Sequence, residues 1–200
     1  MIDIINLFNY IVSLTLANIL YTFSLQPMKR KGKSGDKAWK ECSKFRIISG
    51  LFTIIAIINN FLWILYPVPA LDWKINQNYI IPMIIGIIFI IPCIILFIKG
   101  MADGGKESLI PSPNTKMYKG IYRHIRHPQS VGEFSLHIVF GFFVNSWFMI
   151  LFALIWALFY LPIMLHIEEK DLIRRFGDIY REYKKETGLI FPKLRKKKSI

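Results

Sequence analysis

Acidic side chains are scarce in this 200-residue chain: 13 Asp and Glu stand against 26 Lys and Arg, a formal net charge of +13. Cysteine is nearly absent. Cys42 and Cys93 fall in segments of different character, in neither a metal-ligand spacing nor a redox pair, so neither receives a role. There is no Gly-rich dinucleotide loop, no phosphate-binding P-loop and no internal repeat, which removes the common nucleotide-binding and solenoid classes. His124 and His127 lie three apart without a third ligand, so no metal site is assigned. What the chain does have is apolar surface. Apolar residues make up 54% and aromatics 15%, gathered into long runs, and this places the chain in the membrane class as one domain over residues 1–200.

Five runs read as transmembrane helices, at about 4–25, 47–66, 79–98, 129–144 and 147–167. The first lacks a basic leader and a small-residue cleavage site, so it reads as a retained helix. Pro92 interrupts the third run, and Asn145-Ser146 makes a tight break between the last two, which read as a helical hairpin. The basic residues decide orientation. Eight lie in Lys29–Arg46, six in the 99–128 loop and eleven in the tail, whereas Lys74 is alone on the other side. The positive-inside rule then puts the N-terminus outside and both the long loop and the tail in the cytosol. The expected fold is therefore an all-α integral membrane protein with five spans and a cytosolic C-terminal helix and tail. On this reading the basic excess reflects orientation and lipid-surface charge, not nucleic-acid binding.

Two polar stretches interrupt this apolar plan. In the first, Gly120 to Pro128, Arg123, Arg126 and His127 gather before a proline suited to start a helix, whose first-turn N–H groups would favour an anionic or carboxylate-bearing ligand. Plain membrane-edge anchoring by the arginines is the competing reading. In the second, Glu168 and Glu169 follow the last apolar run, where Lys or Arg is the expected residue. They either pair with Arg123 or Arg126 or bind a cationic or hydroxyl-rich ligand. Beyond them, Leu172, Phe176, Ile179 and Tyr183 recur at helical spacing, and Gly177 bends or interrupts the helix.

Taken together, Gly-Ile-Tyr-x-x-x-Arg-His-Pro (Gly120 to Pro128), the Glu168-Glu169 pair, Phe-Gly-x-x-Tyr-x-x-Tyr (Phe176 to Tyr183) and Thr187-Gly-Leu-Ile-Phe-Pro192 resemble the isoprenylcysteine carboxyl methyltransferase and phospholipid methyltransferase superfamily. The resemblance covers roughly the second half of the chain. It implies an integral membrane enzyme that uses S-adenosylmethionine, with the cofactor region at 99–128 and 168–194. By analogy Tyr122, His127, Pro128, Gln129 and Ser130 line the cofactor pocket, and Asn114, Thr115, Lys116 and Met117 supply backbone contacts. Glu168 would hold a polar group of the cofactor. The implied partners are a lipophilic small-molecule or prenylated substrate and membrane lipids. The location would be the plasma membrane of a prokaryote or the endoplasmic reticulum of a eukaryote.

Two positions depart from the family pattern. Ser130 stands where Tyr is common, and Met164 stands where carboxyl methyltransferases tend to carry Arg. An uncharged thioether cannot orient a substrate carboxylate, so Met164 points away from a simple prenylcysteine. If the acceptor is a carboxylate, neutralisation of charge and alignment suffice. If it is a lipid amine, as in a phospholipid N-methyltransferase, a proton must leave, and Glu133, His137 and Glu169 become candidate bases. Glu133 and His137 share a helix face, and pairing with each other for purely structural reasons is the competing reading. A non-catalytic lipid-binding protein and a nicotinamide-dependent membrane reductase are the readings from other classes.

Overall fold

The computed structural model describes residues 1–112 and 119–193, and among these the chain is helical, with isolated bridges but no named strand. Seven α-helices follow in order: α1 (Ile2–Ser24), α2 (Pro27–Ser34), α3 (Lys37–Leu62), α4 (Ile80–Gly104), α5 (Pro128–Phe143), α6 (Trp147–Phe176) and α7 (Asp178–Glu186). Four helical segments, at Ile2–Ser24, Lys37–Leu62, Ile80–Ser108 and Trp147–Phe176, are long and apolar enough to cross a bilayer, the architecture of an integral membrane protein. The remaining expected span, 129–144, corresponds to α5, which has only 16 residues. At 1.5 Å per residue it is about 24 Å long, short of a ~30 Å hydrocarbon core.

Helix boundaries depart from the apolar runs in a consistent direction. α3 begins ten residues before its run, at Lys37, because the basic segment stays helical while packing on α2. α4 continues through Pro92, and α6 continues through Pro162 to Phe176, which carries Glu168 and Glu169 onto the end of a membrane helix. Gly177, at φ 58°, then separates α6 from α7. That break resets the helical register. Ile179, expected on the packed face, is 65% exposed, and Tyr180 is buried in its place.

Two core clusters hold the bundle. Tyr10, Leu14, Ala56, Trp63, Val144 and Met149 join α1, α3 and the start of α6. Leu25, Phe134, Ala157, Met164 and Leu165 join α1, α5 and α6 nearer the other end. α4 and α5 meet through glycine: a Cβ on Gly100 would lie 2.6 Å from the Gln129 nitrogen, and one on Gly132 would lie 2.6 Å from the Phe97 nitrogen. Such small-residue contacts let two apolar helices approach backbone to backbone.

The α5–α6 hairpin turns at Asn145, a left-handed residue with φ 52°. Its side chain accepts from the backbone N–H groups of Ile75 and Asn76, both at 3.1 Å, and donates to the Asn76 carbonyl at 2.9 Å. Ser146 caps α6 by accepting from the Met149 N–H. The hairpin therefore brings the start of α5 and the end of α6 to one end of the bundle.

Candidate active site

At that end, the segment before α5 runs beside the segment after α7. The Arg126 N–H donates to the Gly188 carbonyl at 2.8 Å, and the His127 N–H to the Leu189 carbonyl at 3.3 Å. These bonds fix Arg126 and His127 against α6. The Arg126 Nε donates to Glu169 Oε1 at 2.7 Å, and its Nη1 reaches the carbonyls of Lys184 and Thr187. Lys184 Nζ meets the other Glu169 oxygen at 2.6 Å. The Arg126 and Glu169 side chains are only 9% and 10% exposed, so this is a nearly buried ion pair with both carboxylate oxygens engaged. Arg126, not Arg123, is the partner; Arg123 is exposed.

Glu168 is placed differently. Its Oε2 lies 3.0 Å from His127 Nδ1, an ion pair with the protonated ring whose angle falls short of a well-directed hydrogen bond. His127 Nε2 lies 3.4 Å from Glu169 Oε1. Burial opposes charge on the ring, but the two carboxylates outweigh it and push the His127 pKa up to about 9. The imidazole is therefore cationic at neutral pH.

Glu168 and His127 line a cavity that opens at this end of the bundle. Gln129 and Ser130 contribute from the first turn of α5, where no side chain caps the helix. The Tyr122 hydroxyl donates to the Gly100 carbonyl at 3.1 Å, and the Tyr183 hydroxyl to the Tyr122 carbonyl at 2.6 Å, so the aromatic wall is tied to α4. Burial pushes the phenols of Tyr180 and Tyr183 up, which keeps them neutral hydroxyls.

Residues 81–179 match the family described as phospholipid methyltransferase. The chain belongs to the phospholipid methyltransferase and isoprenylcysteine carboxyl methyltransferase superfamily. It is also similar to curated members. A methanethiol S-methyltransferase of Pseudomonas sp. (strain GM41(2012)) is 30% identical over 103 residues, 48% of this chain and 35% of that protein. Methanethiol S-methyltransferase 1 of Bradyrhizobium diazoefficiens is 33% identical over 95 residues, 44% of this chain and 29% of that protein. One of Mycobacterium tuberculosis is 35% identical over 79 residues, 36% of this chain and 28% of that protein. The chain thus spans about a third of the length of the curated relatives it matches.

The superfamily's motif residues are divided by the fold. Tyr122, His127, Gln129, Ser130 and Glu168 line the cavity, whereas Pro128, fully buried, starts α5 beside it. Asn114, Thr115, Lys116 and Met117 lie outside the described residues. Met164 is fully buried in the core cluster with Leu25 and Phe134 and lines no cavity described here. Glu133 and His137 lie deeper along α5, in a second cavity. Among the described residues, no group of three or more His, Cys, Asp or Glu is placed to hold a metal ion.

The cavity also has members that no motif announced: Tyr21 from α1, Arg46 from α3, Glu107 after α4, and Asp171 and Arg175 from α6. Arg46 donates to the carbonyls of Glu107 at 2.6 Å and Ser108 at 3.2 Å. Arg175 pairs with Glu107 and packs over the rings of Trp39 and Phe176 at 4.9 and 4.8 Å. The available signal was weak: a charged residue at the very edge of an apolar run.

Proposed function

We propose that the chain is a membrane methyltransferase that carries the methyl group of S-adenosylmethionine to a lipophilic acceptor. The observation that carries this reading is the contrast between the paired glutamates. Glu169 is held by Arg126 and Lys184, and Glu107 by Arg175, whereas Glu168 meets only the His127 ring, and its buried oxygen in that ion pair has no well-directed hydrogen bond. A hydroxyl or ammonium group of the cofactor supplies one. The cofactor's carboxylate suits the uncapped first turn of α5, where Gln129 and Ser130 line the cavity. Tyr122, Tyr180 and Tyr183 offer aromatic surface, and burial keeps the Tyr180 and Tyr183 hydroxyls neutral.

When bound, the cofactor supplies a methyl group on a positively charged sulfur. The protein's part is to orient and to exclude water. His127 and Glu168 fix the polar end, while Tyr21, Leu25 and Pro27 close the side toward the bundle. The curated relatives are named for a thiol, methanethiol, and the family for phospholipid. With Met164 uncharged and inside the core, these names favour an acceptor other than a prenylcysteine carboxylate. A phospholipid amine is the second reading. The expected orientation places this cavity on the cytosolic side, following the distribution of Lys and Arg.

The test is binding followed by transfer. S-adenosylhomocysteine should stabilise the detergent-solubilised chain while NADPH does not, and radiolabelled methyl should then appear in a lipophilic acceptor. If S-adenosylhomocysteine gives no stabilisation, the chain is instead a lipid-binding or other non-methylating membrane protein.

A further inference from the structure

Arg123 and His124 belong to the basic stretch before α5, yet neither lines the Glu168 cavity. Both instead line an open groove at the end of α4, together with Lys99, Asp103, Gly120 and Ile121. Asp103 builds this groove. Its carboxylate accepts from the Ile121 N–H at 2.7 Å, and a Cβ on Gly120, at φ 59°, would collide with the same carboxylate. The short helical turn Gly120–Arg123 is thereby held against α4. Lys99, Arg123 and His124 are exposed, and among the described residues their side chains make no ion pair or hydrogen bond. The carboxylate beside them is already engaged by a backbone N–H, so the groove lacks an anion.

α4 belongs to one of the four segments long and apolar enough to cross a bilayer. Ile84, Ile88, Ile91 and Ile95 are all exposed and follow one another at steps of three and four, which makes a single stripe along the helix. Lys99 lies four residues beyond Ile95, about one turn further on the same face. The basic groove therefore opens where a lipid-facing stripe ends.

We propose that this groove binds the headgroup of an anionic phospholipid, with the phosphate between Lys99 and Arg123 and the acyl chains along the isoleucine stripe of α4. Arg123 offers a planar fork of donors to the phosphate oxygens, and Lys99 a mobile point charge. The His124 ring lines the same groove as a further polar contact. A zwitterionic headgroup would bring an ammonium group up to these two cations, while Asp103 is held by Ile121. A free phosphate would meet the same charges but leave the apolar stripe unused. The groove shares no residue with the Glu168 cavity, so the site is independent of the methyl-transfer reading.

The full chain, in neutral detergent at fixed ionic strength, is melted while dioleoylphosphatidylglycerol, dioleoylphosphatidylcholine or inorganic phosphate is added. Phosphatidylglycerol should raise the midpoint of the wild type in a saturable way, and the other two should not. Lys99→Gln/Arg123→Gln should need about thirtyfold more phosphatidylglycerol for the same rise, about fivefold for each basic residue at a headgroup. Lys33→Gln/Lys37→Gln removes equal charge from another basic stretch and should respond like the wild type. Phosphatidylglycerol retained in native mass spectra gives the same comparison where a variant's own midpoint moves. An unresponsive wild type overturns the proposal, as does an equal response to phosphatidylcholine. An undiminished response in Lys99→Gln/Arg123→Gln also overturns it, and so does an equal loss in both double variants, the mark of diffuse surface charge. Stabilisation by inorganic phosphate at the lipid's own concentration would make the groove a free-anion site and overturn it as well.

Discussion

Asp171, near the end of α6, caps α2, a helix 143 residues earlier in the chain. Its carboxylate accepts from the backbone N–H groups of Met28 at 2.9 Å and Lys29 at 2.8 Å, while the residue is only 3% exposed. Those donors belong to the first turn after Pro27, which has no N–H of its own and which Gln26 does not cap. Because Pro27 and Asp171 both line the Glu168 cavity, the cap also fixes one of its walls.

Asp171→Ala should therefore loosen both the fold and the cofactor cavity. Loss of a buried charged cap costs about 1–2 kcal/mol or more. Thermal unfolding in detergent should show a lower midpoint, and calorimetry should show weaker S-adenosylhomocysteine binding. An unchanged melt would mean that α2 is held by other contacts.

The two adjacent glutamates should separate by readout. Glu168→Gln is expected to weaken S-adenosylhomocysteine about ten- to a hundredfold, the value of one charge-assisted hydrogen bond of about 1.5–3 kcal/mol. Glu169→Gln leaves Arg126 and Lys184 without their carboxylate, and breaking a buried pair in this way costs about 3–5 kcal/mol of stability. Calorimetry and thermal melts on both variants distinguish the roles. Equal ligand affinity for wild type and Glu168→Gln would refute the assignment.

The pH dependence of the ligand-free chain follows from His127. Its pKa is about 9 in the folded state against 6.5 for the ordinary side chain. Between those values the folded chain holds a proton that the unfolded chain has lost, so stability falls as pH rises. The contribution is complete below about pH 6.5 and is lost as pH passes about 9, on the order of 3 kcal/mol. The groups facing the ring are Glu168 and Glu169, with Arg126 bound to the latter. Melts across this range should decline for wild type and be flatter for His127→Gln.

Gly100→Ala should separate α4 from α5. The added Cβ would meet Gln129 at 2.6 Å from its nitrogen and 2.9 Å from its Cα, both backbone atoms that cannot rotate away. A loss of roughly 1–3 kcal/mol is expected from such overpacking, seen as a lower midpoint. S-adenosylhomocysteine affinity should fall too, because Gln129 lines the cavity.

Single-cysteine labelling tests the orientation. In a chain with Cys42 and Cys93 replaced, cysteines at Ser112 and Ser199 should be reached from one side of the membrane and one at Gln77 from the other. Labelling of Ser112 and Ser199 from opposite sides would contradict the expected topology.

The sequence by itself determined where the apolar helices lie, because a run of some twenty apolar residues in a bilayer has few conformations other than a helix. The same local logic marked the break at Asn145-Ser146, the interruption at Gly177 and the start of α5 at Pro128, since each depends on the backbone preferences of one or two residues. The resemblance to the superfamily, not local backbone preference, brought forward most of the motif residues around the cavity. Register beyond Gly177 was not legible, because the turn there shifts the buried face from Ile179 to Tyr180.

Only the tertiary structure decided which glutamate of the pair is taken. The two are one residue apart, and their side chains diverge by about 100° around α6. Whether Arg126 and Lys184 meet Glu169 or Glu168 depends on how the Thr187–Leu189 segment presses Arg126 against that helix. The cavity walls were hidden for the same reason. Tyr21, Arg46, Glu107 and Arg175 come from distant parts of the chain, and no local pattern records a neighbour that is brought close only by helix packing.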